Sequence, residues 1–266
     1  MAIEKPISAV DVPGTVQPKI NDIGTNDVIN ALTKGIADFN AMPTHLLFMA
    51  LTYPILMVVI GRAIAGYDVL PLVFPLIAGS TLLGPLAATG MYELSRRREF
   101  GLDISRRHAL DPLKFHAITS IALLGGVQLV IYFLWMGAAH SIYVQTFGAA
   151  LPDSITGFAQ DVLFTAAGWK LIIIGSGVGF VFAFVVLTIS SISFPMLLHR
   201  DCGVIMAVQT SIQVTVANPK TILVWGIIVV SGLFLGAVPM FIGLSVVMPV
   251  LGHATWHLYR AAVADE

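Results

Sequence analysis

Pro239–Arg260 reads PMFIGLSVVMPVLGHATWHLYR, an apolar run that carries Pro249 and, four positions apart, His253 and His257. At about 1.5 Å per helical residue, a run of this length crosses a hydrocarbon core of roughly 30 Å. The two histidines then lie one turn apart on one face, near the end that bears Arg260. Two chemistries fit such a pair. Together with His199, which ends another apolar block, they form a candidate metal or haem set. Beside Trp256 and Tyr259 they equally form an amphipathic anchor at the membrane surface. An i,i+4 pair cannot ligate one haem iron from opposite sides, so the anchor is the preferred reading and no cofactor is expected.

Working outward, the 266 residues are 57% hydrophobic and 11% charged, against about 25% charged in soluble domains. The chain is therefore expected to be an all-α polytopic membrane protein. Its net charge of −1 and the lack of a basic tract interleaved with aromatics argue against nucleic-acid binding. Cys202 is the sole cysteine, so no internal disulfide can form. Residues 1–24 are polar and dotted with Pro and Gly, which predicts a disordered or loosely docked tail. From Asn26, a plausible N-cap, Val28, Ile29, Leu32, Ile36 and Phe39 recur at helical spacing opposite Asn30, Lys34 and Asp38. An amphipathic surface helix over 26–42 is predicted, closed by Pro43.

Apolar blocks predict six spans near 45–66, 69–94, 115–140, 169–198, 220–237 and 239–259. The last two are cut at Gly236–Pro239, because 40 residues of straight helix would reach about 60 Å. With both termini cytoplasmic, twelve of the 14 Lys and Arg residues fall inside and only Arg62 and Lys170 outside, a strong positive-inside bias. Residues 141–168 form an external cap, in which Asp153 or Ser154 starts a short helix, and 261–266 a cytoplasmic tail. Residues 25–260 make one transmembrane domain.

The chain also repeats itself. Aligned on Pro85 and Pro249, PLAATGMYELSR falls on PVLGHATWHLYR, with Tyr92 on Trp256, Arg96 on Arg260 and Glu93 on His257. DVINALTKGIADFNAMP, DISRRHALDP and DCGVIMAVQTSIQVTVANP each lead through a proline into a span. The expected architecture is three hairpins, each preceded by an interfacial or cytoplasmic segment ending in proline. If the repeat holds, Glu93 and His257 sit at equal depth and form a structural polar pair. Small residues recur every fourth position at Ser80, Gly84 and Ala88, at Gly175, Gly179 and Ala183, and at Gly232 and Gly236, which predicts close helix packing.

No HExxH, GxSxG, phosphate loop or paired intramembrane carboxylate occurs, so an enzyme is not expected. Charged residues all lie within a turn or two of a span end. Pro54, Pro75, Pro85, Pro195 and Pro249 interrupt spans, a feature shared with transporters, and a small-solute transporter or channel is the alternative.

The runs GMYELSRRREFG, SFPMLLHRD, TVANPK and VMPVLGHATWHLYR, in that order, resemble the bacterial integral membrane family catalogued as domain of unknown function 2189, from about residue 25 to 260. The resemblance implies a proteobacterial inner-membrane protein and carries no activity with it. Some members bear an automatic label as cytochrome c oxidase subunit I. That label does not fit histidines crowded at span ends, because the catalytic oxidase needs them buried within several helices. The expectation is a non-catalytic accessory, assembly or scaffold subunit of a respiratory or other energy-transducing complex, in contact with the bilayer and with other membrane-protein subunits.

Overall fold

The structure, a computed structural model, describes residues 18–42, 70–114, 118–200, 202–239 and 241–264. The predicted span 45–66 lies outside the described residues. Regular structure among the described residues is helical, apart from an isolated antiparallel bridge between Ile20 and Val263. In order, the helices are α1 (Thr25–Ala41), α2 (Val73–Ser80), α3 (Gly84–Ala87), α4 (Thr89–Glu99), α5 (Ile118–Phe147), α6 (Ile155–Phe164), α7 (Ala166–Ser190), α8 (Ser193–His199), α9 (Val204–Ala217), α10 (Pro219–Ala237) and α11 (Leu244–Ala262). Short 3₁₀ turns sit at Leu70–Leu72 and Thr81–Leu83, and a longer one at Arg106–Lys114.

Four stretches are long and apolar enough to cross a membrane: Leu70–Glu99, Ile118–Phe147, Ala166–His199 and Pro219–Ala237. The first and third are interrupted near their prolines, which cannot donate to the ladder and crowd the preceding turn. Pro85 opens α3 after the 3₁₀ turn, and Pro195 lies in α8, just past the break at Ser191–Ile192. The Pro75 carbonyl receives the Trp135 indole N–H at 3.0 Å, which ties α2 to α5. The predicted cut in 220–259 is observed. Phe241 takes φ of 65°, and the Gly236 and Gly243 backbones touch so closely that a Cβ on Gly243 would lie 2.8 Å from the Gly236 Cα.

Several boundaries differ from expectation. α5 runs on to Phe147 because nothing breaks it before Gly148, which adopts φ of 84° and ends the helix. Residues 141–168 thus begin with helix, and their own short helix α6 starts after Ser154, whose Oγ accepts from Gly157 N at 3.1 Å. α11 is not among the four apolar stretches, since His253, Thr255, His257 and Arg260 lower its hydropathy. α1 is capped two residues earlier than Asn26 suggests, at Gly24, and Asp27 Oδ2 accepts from Gly24 N at 2.8 Å. The segment before α1 is docked where it is described. Asn21 N donates to Ala262 O and Ala264 N to Lys19 O, while Ile23 N donates to Asn218 Oδ1 at 2.8 Å.

The core sits at the end of the bundle that carries the arginines, here called the basic end. Val28, Tyr92, Phe194, Met196, Trp225, Trp256 and Tyr259 bury one another there, drawn from α1, α4, α8, α10 and α11. The spans themselves are sparsely covered: only 6% of the apolar window in Ala166–His199 is buried. Phe133, Ile173 and Phe180 face outward, as side chains do where lipid rather than protein is the neighbour.

Candidate functional site: a buried carboxylate and histidine clasp

The site is built on a close approach of α1 and α11. Val28, Ala31, Gly35 and Asp38 are the buried positions of α1, spaced three and four apart so that they share a face. A Cβ on Gly35 would stand 2.7 Å from the Ala254 nitrogen. The glycine lets the backbones meet, and one turn later the Asp38 side chain enters the contact.

Asp38, 4% exposed, accepts from three elements. Its Oδ2 takes the Ser95 hydroxyl at 2.5 Å and His257 Nε2 at 2.8 Å, and its Oδ1 takes the Arg98 guanidinium at 2.7 Å. Ser95 Oγ lies 2.8 Å from Nδ1 of His253, which is fully buried. Proton bookkeeping fixes the tautomer. The ionised carboxylate has no proton, so the single hydroxyl proton of Ser95 points at Asp38 and His253 Nδ1 must donate to Ser95. His253 Nε2 is then a bare acceptor, and it is buried without a hydrogen-bond partner. Burial pushes the Asp38 carboxyl up, but the bonds from His257 and Ser95 and the nearby imidazoles outweigh it and hold the group below the usual carboxylate value.

Two further clusters flank the clasp. Glu93, fully buried, accepts from Arg96 Nε at 2.7 Å and Nη2 at 2.9 Å and from Arg97 Nε at 2.7 Å. Arg97 also reaches Asp111 at 3.1 Å, and Asp111 holds His108 at 2.6 Å. Glu99 accepts the Trp256 indole N–H at 2.6 Å and Arg260 Nε at 2.9 Å. Each acidic group here is paired with a cation, and hydrogen bonds accepted by Asp38 from His257 and by Glu99 from Trp256 and Arg260 join α1 and α4 to α11.

The sequence-predicted residues are thereby redistributed. Glu93 and His257 do not pair: Glu93 is held by its own helix's arginines, and His257 turns to Asp38. His253 and His257 share one network through Ser95 and Asp38. His199 stands apart from it, with Nδ1 2.9 Å from the Tyr259 hydroxyl and its ring against Phe100 and Trp256. Among the described residues, no three His, Cys, Asp or Glu side chains gather in a geometry suited to a metal ion.

Of the small residues, Gly232 and Gly236 pack against Val247 and Leu244 of α11, Gly179 receives Trp135, and Ala88 meets Gly252. Ala183 joins the Trp135 cluster. Gly84 and Gly175 have nothing within 4 Å of an added Cβ, and Ser80 is exposed.

Asp38, Ser95, Arg98 and Glu99 were not legible as site residues, because Asp38 shares a polar stripe with the exposed Asn30 and Lys34. The signal lay in its spacing from Ala31 and Gly35, small residues that mark the packed face. Gln128 carries no sequence signal of its own. It lies in α5, fully buried, with neither amide atom hydrogen-bonded.

No curated protein and no solved structure matches the chain. Residues 73–199 match the family model described as Predicted integral membrane protein (DUF2189). That stretch contains GMYELSRRREFG and runs through SFPMLLH, while the TVANPK and VMPVLGHATWHLYR runs lie beyond it. From α2 through α8, the chain is similar in sequence to this family of predicted integral membrane proteins.

Proposed function

We propose that the protein is a non-catalytic accessory or scaffold subunit of a larger complex in the bacterial inner membrane. The observation that carries this reading is the set of glycines on outward faces of the spans. Among the described residues, no atom lies within 4 Å of a Cβ added to Gly126 or Gly137 of α5 or to Gly175 or Gly177 of α7. Glycines on lipid-facing helix surfaces let another transmembrane helix approach to backbone contact. Lys and Arg bias orients the basic end toward the cytoplasm, with both termini there. Residues 45–66, by composition, and α11 complete six crossings in three hairpins. α11 can cross despite its polar residues, because His253 and His257 face α1 and α4 instead of lipid.

Mild-detergent extraction at native expression, followed by mass spectrometry, tests the reading. Other membrane subunits are expected in stoichiometric yield, and a lone monomer would overturn it. Gly175→Leu is expected to cut partner recovery by about tenfold, since a bulky residue blocks close helix approach, while leaving the melting temperature of the isolated protein unchanged. Partner recovery equal to the parent would remove the α7 face from the argument.

A second reading, passage of a small solute, is favoured by Gln128. A buried amide with no partner in a span is costly, and such groups are retained where they serve a path. Gln128→Leu is expected to stabilise the protein by about 1–3 kcal/mol, read as a raised unfolding midpoint. If solute passes, liposomes bearing the variant lose flux that the parent supports. A destabilised variant would mean that the amide has a partner in the membrane.

A further inference from the structure

α10 and α11 form the last hairpin, and its tip differs in chemistry from the connection that joins α5 to α7. From Thr221 to Gly252 the chain holds no Asp, Glu, Lys, Arg, His, Asn or Gln. The chain around the α5 to α7 connection, by contrast, carries Gln145, Asp153, Gln160, Asp161 and Lys170. At the hairpin tip Phe234, Leu235, Val238 and Ile242 are 58% to 69% exposed. An exposed turn built of apolar side chains alone has no group to offer water.

Two contacts fix how far this hairpin rises from the basic end. A Cβ on Gly226 would lie 2.8 Å from Leu187 Cδ2, and one on Gly252 would lie 3.2 Å from Ala88 Cβ, so each pair shares a level. From Leu187, α7 continues about 25 Å to Lys170, whereas from Gly226, α10 continues about 16 Å to Ala237. From Ala88, the stretch Leu70–Glu99 continues about 27 Å to Leu70, whereas from Gly252, α11 continues about 12 Å to Leu244. The neighbouring spans thus outrun the hairpin's two helices by about 9 and 15 Å, and a turn adding about one helical pitch, 5 Å, does not close the gap. Lys170 is exposed, and a charged side chain on a lipid-facing helix belongs at the headgroup level. It marks the outer limit of the hydrocarbon, and the tip stops short of it.

The turn also pairs its own backbone. The N–H groups of Val238, Phe241, Ile242 and Leu244 donate to the carbonyls of Phe234, Ala237, Pro239 and Phe241, and the Ser245 hydroxyl donates to the Ile242 carbonyl at 2.7 Å. Backbone groups left unpaired in hydrocarbon are costly, and a turn that satisfies itself in this way can lie there. We propose that the hairpin of α10 and α11 enters from the basic end, turns inside the hydrocarbon of the opposite leaflet, and presents its tip to acyl chains instead of water. The proposal rests on the three-hairpin reading for the side from which α10 starts, and adds the depth at which the hairpin turns.

The test uses the full chain carrying Cys202→Ser, spin-labelled singly at Val238→Cys, Ile242→Cys or Lys170→Cys, in liposomes of phosphatidylethanolamine and phosphatidylglycerol. All three positions are exposed, so the label displaces no packed side chain. Collision with oxygen, which concentrates in hydrocarbon, is compared with collision with a polar nickel chelate, which stays in water. The oxygen-to-nickel ratio is expected to be about tenfold higher at Val238→Cys and Ile242→Cys than at Lys170→Cys, because a polar complex partitions poorly into hydrocarbon. A ratio at either tip position equal to that at Lys170→Cys would place the turn in water and overturn the proposal. Weak collision with both reagents at the tip would show a second copy of the chain covering it, and would overturn the assignment to lipid. The three-hairpin reading is checked apart from the tip, by an impermeant thiol reagent on spheroplasts and inverted vesicles. Lys170→Cys should react from the periplasmic side, and reaction from the cytoplasmic side alone would overturn that reading and with it the leaflet assigned to the turn.

Discussion

Asp38→Ala is expected to destabilise the protein by about 3–5 kcal/mol, the range for removing one partner from a buried charge network. The carboxylate at 4% exposure serves Ser95, His257 and Arg98 at 2.5, 2.8 and 2.7 Å. Its loss leaves the Ser95 and His257 donors unpaired between α1, α4 and α11, and water reaches them poorly. Asp38→Asn keeps the shape and should cost less, because its amide oxygen still accepts from one neighbour. Arg98, half-exposed, recovers hydration and contributes little of the loss.

The same contact predicts an acid limit. The fold holds the Asp38 carboxyl below its ordinary value of 3.8, so the native state favours the ionised form. Its contribution is fully present above the unfolded value and is lost as pH falls through the folded one. Unfolding of detergent-solubilised protein, followed from pH 8 to pH 3, should show the gap between parent and Asp38→Ala constant down to about pH 4 and narrowing below it. A gap that narrows as pH rises from 4 to 8 would contradict the pairing.

Gly35→Leu is expected to be at least as damaging, at about 3 kcal/mol or more, the upper range for overpacking. The first carbon alone would meet the Ala254 nitrogen, Cβ and Cα at 2.7 to 2.9 Å, and backbone atoms cannot rotate away as a side chain can. α1 must lift from α11, which carries Asp38 out of reach of His257 one turn on. The two substitutions therefore break one contact, and the double variant should cost less than the sum of the singles. Full additivity in thermal or denaturant unfolding would show that the close approach and the clasp are independent. Limited proteolysis within Thr25–Ala41, faster in both variants than in the parent, offers a second readout.

The clasp also explains why the resemblance between the two proline-led helix ends does not extend to their chemistry. Both ends present an aromatic residue and an arginine at matching positions. The third position carries Glu93 in one and His257 in the other, which on alignment alone suggests a direct pair. In the folded chain Glu93 already has two arginines from its own helix, and α1 brings a different carboxylate to His257. An alignment of two helices cannot register a third that inserts a side chain between them.

Hydropathy by itself determined the class of this protein and most of its crossings, because the cost of bare backbone and charge in hydrocarbon leaves long apolar helices as the solution for such blocks. Turn chemistry was legible too: the Gly236 to Gly243 break and the Ser154 cap are local events, set by backbone freedom and a side-chain oxygen. Only the tertiary structure decided which polar residues are buried. Asp38 lies four residues from the exposed Lys34 on the same polar stripe, and its spacing from Ala31 and Gly35 is the one local sign that separates them. The difference arises where Gly35 permits α11 to approach on one side of α1, so that Asp38 becomes a buried anchor for Ser95, Arg98 and His257 while Lys34 stays at the surface.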